Sequence, residues 1–220
     1  MNRYWVMRVR RRRVMIVTAV AAAAVVLAAV ILLVSVFSNG GQGTVTPLRS
    51  PTDQVAGIPL YESLLPTDSG CRPGTLRQIK YVVIHETGNP AAGADAAAHS
   101  EYLQGGGDGT TSWHYTLDDH CIYQHIPDNE VAWHAGDRLE QDGGNLNGIG
   151  VELCVNADGN FEQTMQNGAQ LTAYLLRQYG LGVENVRQHY DFSGKNCPQT
   201  IREAGRWQEF LQLVRSAMAA

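Results

Sequence analysis

Val14–Phe37 is a run of 24 residues with no charged side chain, proline or glycine, and it decides how much of this chain is free to fold in water. As a helix rising ~1.5 Å per residue it would be ~36 Å long, enough to cross a hydrocarbon core of ~30 Å. No face of it is polar, which a helix at the surface of a globular core requires. Residues 1–13 hold six arginines and no acid, and a basic flank of this kind stays on the cytoplasmic side of a membrane. The expectation is a basic cytoplasmic segment at 1–13, a retained transmembrane signal-anchor helix at 14–37, and a single-pass protein whose remainder is extracytoplasmic. The alternative is a cleaved signal peptide and a secreted domain. Its apolar region normally runs only ~7–15 residues, and Ser35-Val36-Phe37 is a weak cleavage site.

Residues 38–57 are rich in Gly, Thr, Ser, Pro and Gln and read as a flexible linker. A coil of that length spans ~25 Å r.m.s. and would hold a domain at 58–220 close to the bilayer. Beyond residue 37 the chain has 11 basic and 21 acidic side chains, a net charge of −10. No basic stripe accompanies that excess, so nucleic acid is not an expected partner. The sequence is silent on oligomeric state, and a monomer is the default expectation.

Apolar runs predict strands at Gln78–His85, Ser112–Leu117, Cys121–Ile126 and Ile149–Val155, the middle two forming a hairpin across Asp118-Asp119-His120. Helices are predicted at Asp95–Gln104, with Asp95 as N-cap, at Asn167–Tyr179, closed by Gly180, and at Ile201–Met218. Strands alternating with helices indicate a single α/β domain with a central mixed β-sheet flanked by helices.

The chemistry concentrates in His189-Tyr190-Asp191-Phe192-Ser193-Gly194-Lys195-Asn196-Cys197-Pro198, together with His85 at the end of an apolar strand. Two imidazoles and a thiolate suffice to hold a catalytic Zn2+ with one position open. A Cys197/His189 nucleophile–base pair is the alternative, as is a set of buried, merely structural side chains. There is no HExxH signature; spacing alone is a weak argument here. Glu152 lies between Val151 and Leu153 on a strand. It either points to solvent or lines a cleft as general base. Lys195 is either a solvated turn lysine or an oxyanion partner. His134 is read as a cleft residue hydrogen-bonding substrate or as structural. Trp113 and Tyr115 are placed on one strand face, as binding wall or core. Of the four cysteines, Cys154 reads as a buried thiol, leaving Cys71 and Cys121 as the candidate disulfide.

Five collinear motifs then carry a family resemblance: Tyr81–Pro90, Ser112–Asp119, Val131–Asp137, Ile149–Cys154 and His189–Pro198. Over about Arg72–Phe210 the chain resembles the zinc-dependent N-acetylmuramoyl-L-alanine amidases of the type-2 family, which share a fold with T7 lysozyme and the peptidoglycan recognition proteins. The likeness is greatest to endolysin-type members. The resemblance implies His85, His189 and Cys197 as zinc ligands, Glu152 and Lys195 as catalytic residues, and His134 in the substrate cleft. It implies peptidoglycan as substrate, cut between N-acetylmuramic acid and L-alanine. Trp113 stands where many relatives have Tyr, which disfavours a tyrosine-assisted route and favours one through Glu152. A non-catalytic peptidoglycan-binding module is the rival within the same fold; the presence of all three ligands argues against it.

Overall fold

The computed structural model describes residues 51–220, which belong to one compact unit. The expected cytoplasmic segment, the anchor and most of the linker lie outside the described residues. Among the described residues, no helix is long and apolar enough to cross a membrane.

The chain enters through a hairpin, β1 (Asp53–Val55) and β2 (Ile58–Glu62), paired antiparallel. Its two-residue turn has positive φ at both Ala56 (51°) and Gly57 (82°), a twist that suits a tight hairpin and that glycine adopts without strain. Val55 is buried against the core. The end of the stretch read as linker is therefore part of the sheet, because one valine and one turn glycine outweigh its polar composition.

Five more strands follow: β3 (Tyr81–Glu86), β4 (Tyr115–Leu117), β5 (Ile122–Gln124), β6 (Gly148–Leu153) and β7 (Val186–Gln188). They join β1 and β2 in a mixed seven-stranded sheet of order β1-β2-β5-β4-β6-β3-β7. The β4–β5 hairpin is antiparallel, whereas β4, β6, β3 and β7 run parallel to one another. The register sets His85 opposite Glu152.

Side chains alternate across a strand, and the two faces of β3 and β6 have different fates. Val82, Ile84, Ile149, Val151 and Leu153 enter the main core. The opposite face carries Val83 and His85 on β3, and Gly148, Gly150 and Glu152 on β6. The main core is closed by α3 (Phe161–Tyr179) and α6 (Trp207–Ala219), through Met165, Leu171, Leu175, Phe210 and Val214. Asn160 caps α3 by accepting from Gln163 N–H, and Gly180 ends it in the left-handed region, φ 63°. That cap lies seven residues before the predicted start, since the polar residues of the first turn hide the periodicity.

The helix predicted over Ile201–Met218 is two helices. Gly205, at φ 68°, separates α5 (Gln199–Glu203) from α6; an ordinary side chain would be strained at that angle. On the other side of the sheet, α1 (Ala96–Gln104) has the expected cap, with Asp95 accepting from Ala98 N–H at 2.8 Å. A smaller apolar cluster of Leu65, Cys71, Leu103, Trp113, Ile126 and Ala132 fills the space near it. Two one-turn helices, α2 (Gly144–Asn147) and α4 (Tyr190–Ser193), lead into β6 and follow β7.

The expected Cys71–Cys121 disulfide is absent, and all four cysteines are free thiols. Cys71 packs in the smaller cluster and donates to Gly106 O, whereas Cys121 sits in the β4–β5 turn beside Asp118.

Candidate metal centre and catalytic cleft

Three adjacent parallel strands, β6, β3 and β7, end on the same edge of the sheet, the usual place for a site in an open α/β fold. His85 is the fifth residue of β3. Its neighbour β7 delivers His189, and α4 and its left-handed cap Gly194 (φ 75°) turn the chain back to bring in Cys197. Tyr190 N–H donates to Cys197 O, and Cys197 N–H to Lys195 O, which closes the turn.

The three side chains meet as their types suggest. His85 Nδ1 lies 3.0 Å from His189 Nδ1 and 3.9 Å from Cys197 Sγ. One donor atom from each falls within 4.8 Å of the others, and all three residues are buried. Burial, helped by the neighbouring imidazoles, holds His85 neutral far below the usual histidine range. Burial and the charge of Lys195 bring His189 down to about 4. Neutral imidazoles are what a cation needs as ligands. Burial, then Glu152, pushes the Cys197 thiol up to about 12. That thiol is no activated nucleophile, which weighs against a cysteine peptidase; a cation binding there would displace its proton. Two imidazole nitrogens and one sulfur crowded into a buried space fit a tetrahedral, borderline-soft divalent ion with one position left for a non-protein ligand.

Glu152 reaches the same place from β6. Its Oε1 is 3.8 Å from His85 Nδ1, its side chain is only 14% exposed, and Oε2 is buried without a hydrogen-bond partner. Burial raises its carboxyl to about 8, against the opposing pull of Lys195. Of the two readings of this strand acid, the cleft-facing one describes its position. Lys195 is exposed on the ligand turn and lines, with Glu152, a cavity of about 380 Å³.

Trp113 also lines this cavity, and its Nε1–H donates to Thr116 Oγ1 at 2.5 Å. It does not share a face with Tyr115. Strand β4 begins only at Tyr115, which enters the main core and donates to Asp128, while Trp113 packs in the smaller cluster. His134 is buried against His85. Its Nδ1 is 3.0 Å from His85 Nε2 and its Nε2 3.1 Å from Gly148 O.

Glu86 has a role that residue-type reasoning overlooked. Its carboxylate accepts from Thr200 N–H (2.7 Å) and Ile201 N–H (2.9 Å), and its own N–H donates to Cys197 Sγ (3.5 Å). It therefore ties the start of α5, and with it Cys197, to the end of β3. The signal in the sequence is an acid next to His85, but its partners lie more than a hundred residues away.

Fold and site together define a class: an α/β domain with a buried His/His/Cys donor set and a neighbouring carboxyl at the ends of parallel strands. The chain belongs to the N-acetylmuramoyl-L-alanine amidase family Amidase_2, which matches residues 75–200. It is 41% identical over 153 residues to the N-acetylmuramoyl-L-alanine amidase XlyA of Bacillus subtilis (strain 168), an alignment covering 70% of this chain and 50% of that protein. It is 36% identical over 160 residues to CwlH of the same organism, covering 73% and 62%. The chain thus spans half to just under two thirds of these relatives. The solved catalytic domain of XlyA is similar with a TM-score of 0.67 at 40% identity, covering 71% of this chain and 99% of that structure.

Proposed function

We propose that this protein is a Zn2+-dependent N-acetylmuramoyl-L-alanine amidase that hydrolyses the amide between the lactyl group of N-acetylmuramic acid and the L-alanine of the peptidoglycan stem. The observation that carries the reading is the convergence of His85, His189 and Cys197 beside the buried carboxyl of Glu152, which in turn lines, with Lys195, a cavity. The relatives' names supply the bond.

His85, His189 and Cys197 would hold the zinc. When bound, zinc supplies a Lewis acid that polarises the scissile carbonyl and acidifies water. Glu152 takes the proton from the attacking water as the new C–O bond forms. The Lys195 ammonium faces the oxygen that gains negative charge and stabilises it. The C–N bond then breaks, and Glu152 returns its proton to the departing nitrogen. The products are a muramyl carboxylate and a free L-alanine amine. Trp113 forms part of the wall against which substrate lies. The cleft is lined by both acids and Lys195, as suits a mixed-charge muramyl peptide.

The same reading places the domain outside the cytoplasmic membrane, tethered by the helix expected at 14–37, as a monomer beside its polymer. The test uses purified protein, metal-free and zinc-restored, on isolated peptidoglycan, with new ends identified by mass spectrometry. New L-alanine amino termini with intact glycan, formed only with zinc, are expected. Stoichiometric zinc with no new ends would instead make the protein a binding module. Metal-independent cleavage within the peptide would reject the amidase reading.

A further inference from the structure

The segment Ala132-Trp133-His134-Ala135-Gly136 runs behind the metal centre, and its contacts there have a defined direction. Gly148 O is a carbonyl and can only accept, so the contact at 3.1 Å requires the proton on His134 Nε2. A neutral His134 then has a bare lone pair on Nδ1. Its partner at 3.0 Å, His85 Nε2, has to be the donor. With its proton on Nε2, His85 presents a lone pair at Nδ1, the atom that faces His189 and Cys197.

The second ligand histidine is handled by the next residue along. The Nδ1 of His189 is turned to His85, so Nε2 is the nitrogen left facing this segment: a Cβ on Gly136 would lie 3.7 Å from His189 Nε2, and the Ala135 carbonyl favours a proton on the ring. The segment itself is rigidly held. Asn145 Oδ1 accepts from both His134 N–H and Ala135 N–H, each at 2.7 Å. Gly150 leaves the space for the His134 ring, since a Cβ there would lie 2.7 Å from His134 Cγ.

We propose that residues 132–136 are the orienting device of the metal centre: the His134 ring accepts the Nε2 proton of His85 and fixes it as the tautomer with a lone pair at Nδ1, while the backbone at Ala135-Gly136 backs Nε2 of His189, so that the Nδ1 atoms of both rings converge beside Cys197. His134 is thus a positioning residue for a ligand, not a substrate contact. This rests on the reading of His85, His189 and Cys197 as metal ligands. Outer partners of this kind commonly change metal affinity about 10–100-fold when removed.

The test compares wild type, His134→Phe and His134→Gln, all metal-free, by two measurements. One is the zinc dissociation constant from chelator competition; the other is the tautomer of His85 from long-range 1H–15N NMR before any metal is added. Phenylalanine fills the space but accepts nothing, and should weaken zinc binding about 10–100-fold while releasing His85 from the Nε2–H form. Glutamine can accept through Oε1 and donate through Nε2, and should recover most of the affinity. Wild-type affinity and tautomer in His134→Phe would overturn the proposal. So would an Nδ1–H tautomer of His85 in the metal-free wild type, a measurement that needs no variant to fold. If the wild type shows the Nε2–H form yet binds no zinc, the metal reading fails and the relay itself stands.

Discussion

Glu152→Gln should make the metal-free protein relatively more stable in alkali. Burial lifts the Glu152 carboxyl from its ordinary 4.5 to about 8. Between those values the folded protein holds a proton that the unfolded chain has released. Stability from this group is therefore fully present below pH 4.5 and lost as pH rises through 8. Across pH 5 to 9 the loss is roughly 3–4 kcal/mol, from the shift at ~1.4 kcal/mol per pH unit. Glutamine has nearly the same shape and no proton to lose. The stability of the variant minus that of the wild type should therefore grow by about that amount from pH 5 to pH 9. Urea unfolding of chelator-treated protein, followed by tryptophan fluorescence, reads this directly. The depressed histidines also make stability depend on pH, but both proteins share them and they cancel in the difference. A stability difference that stays flat with pH would refute the idea of a desolvated, proton-retaining carboxyl at this site. The same substitution should abolish amide hydrolysis, so activity and alkaline stability would move in opposite directions.

Three further outcomes are expected. Zinc binding at pH 7 should release about one proton or more, from the Cys197 thiol and from Glu152, which calorimetry in buffers of different ionisation enthalpy would count; heats independent of buffer would contradict the assigned protonation. Gly150→Ala should cost about 1–3 kcal/mol by driving a methyl into the His134 ring, read as a lowered melting temperature; an unchanged melt would mean that the ring is not held there. Glu86→Ala should cost about 1–3 kcal/mol for each of the two backbone donors it strands, and Glu86→Gln less, because one acceptor survives. Equal losses for the two would indicate packing in place of the bracket across Thr200 and Ile201.

The elements that patterning revealed are those with a buried face and a cap close by in sequence. α1 announces itself through Asp95, and β3 and β6 through their valines, leucines and isoleucines. What escaped has few residues or borrows its stability from afar. β7 is three residues long and gains its place by pairing with β3. The hairpin of β1 and β2 is concealed in polar composition. Gly205 breaks a helix whose apolar positions continue across the gap. At the site, the grouping of His85, His189 and Cys197 is a matter of residue type and was readable as a pattern, and the family resemblance sharpened it. The separate positions of Trp113 and Tyr115, and the burial of His134 under His85, depend on which side of a loop faces the sheet. No periodicity encodes that. Glu86 and Asn145 act through hydrogen bonds to distant backbone groups, which the sequence does not mark as partners.

The span of chain between the two histidines of the proposed metal centre gives the site a mechanical side. His85 and His189 are 104 positions apart, and Cys197 comes from the same late turn as His189. An ion gripping all three fastens the C-terminal part of the chain to the middle of the sheet, closing a loop whose entropy grows with its length. The outermost strand there is only three residues long and holds weakly by itself. Loaded protein should accordingly resist trypsin in its last two helices for longer than metal-free protein, and equal digestion rates would argue against any such fastening. On the proposed reading, the ion that serves the cut would also be the rivet that keeps the blade in its handle.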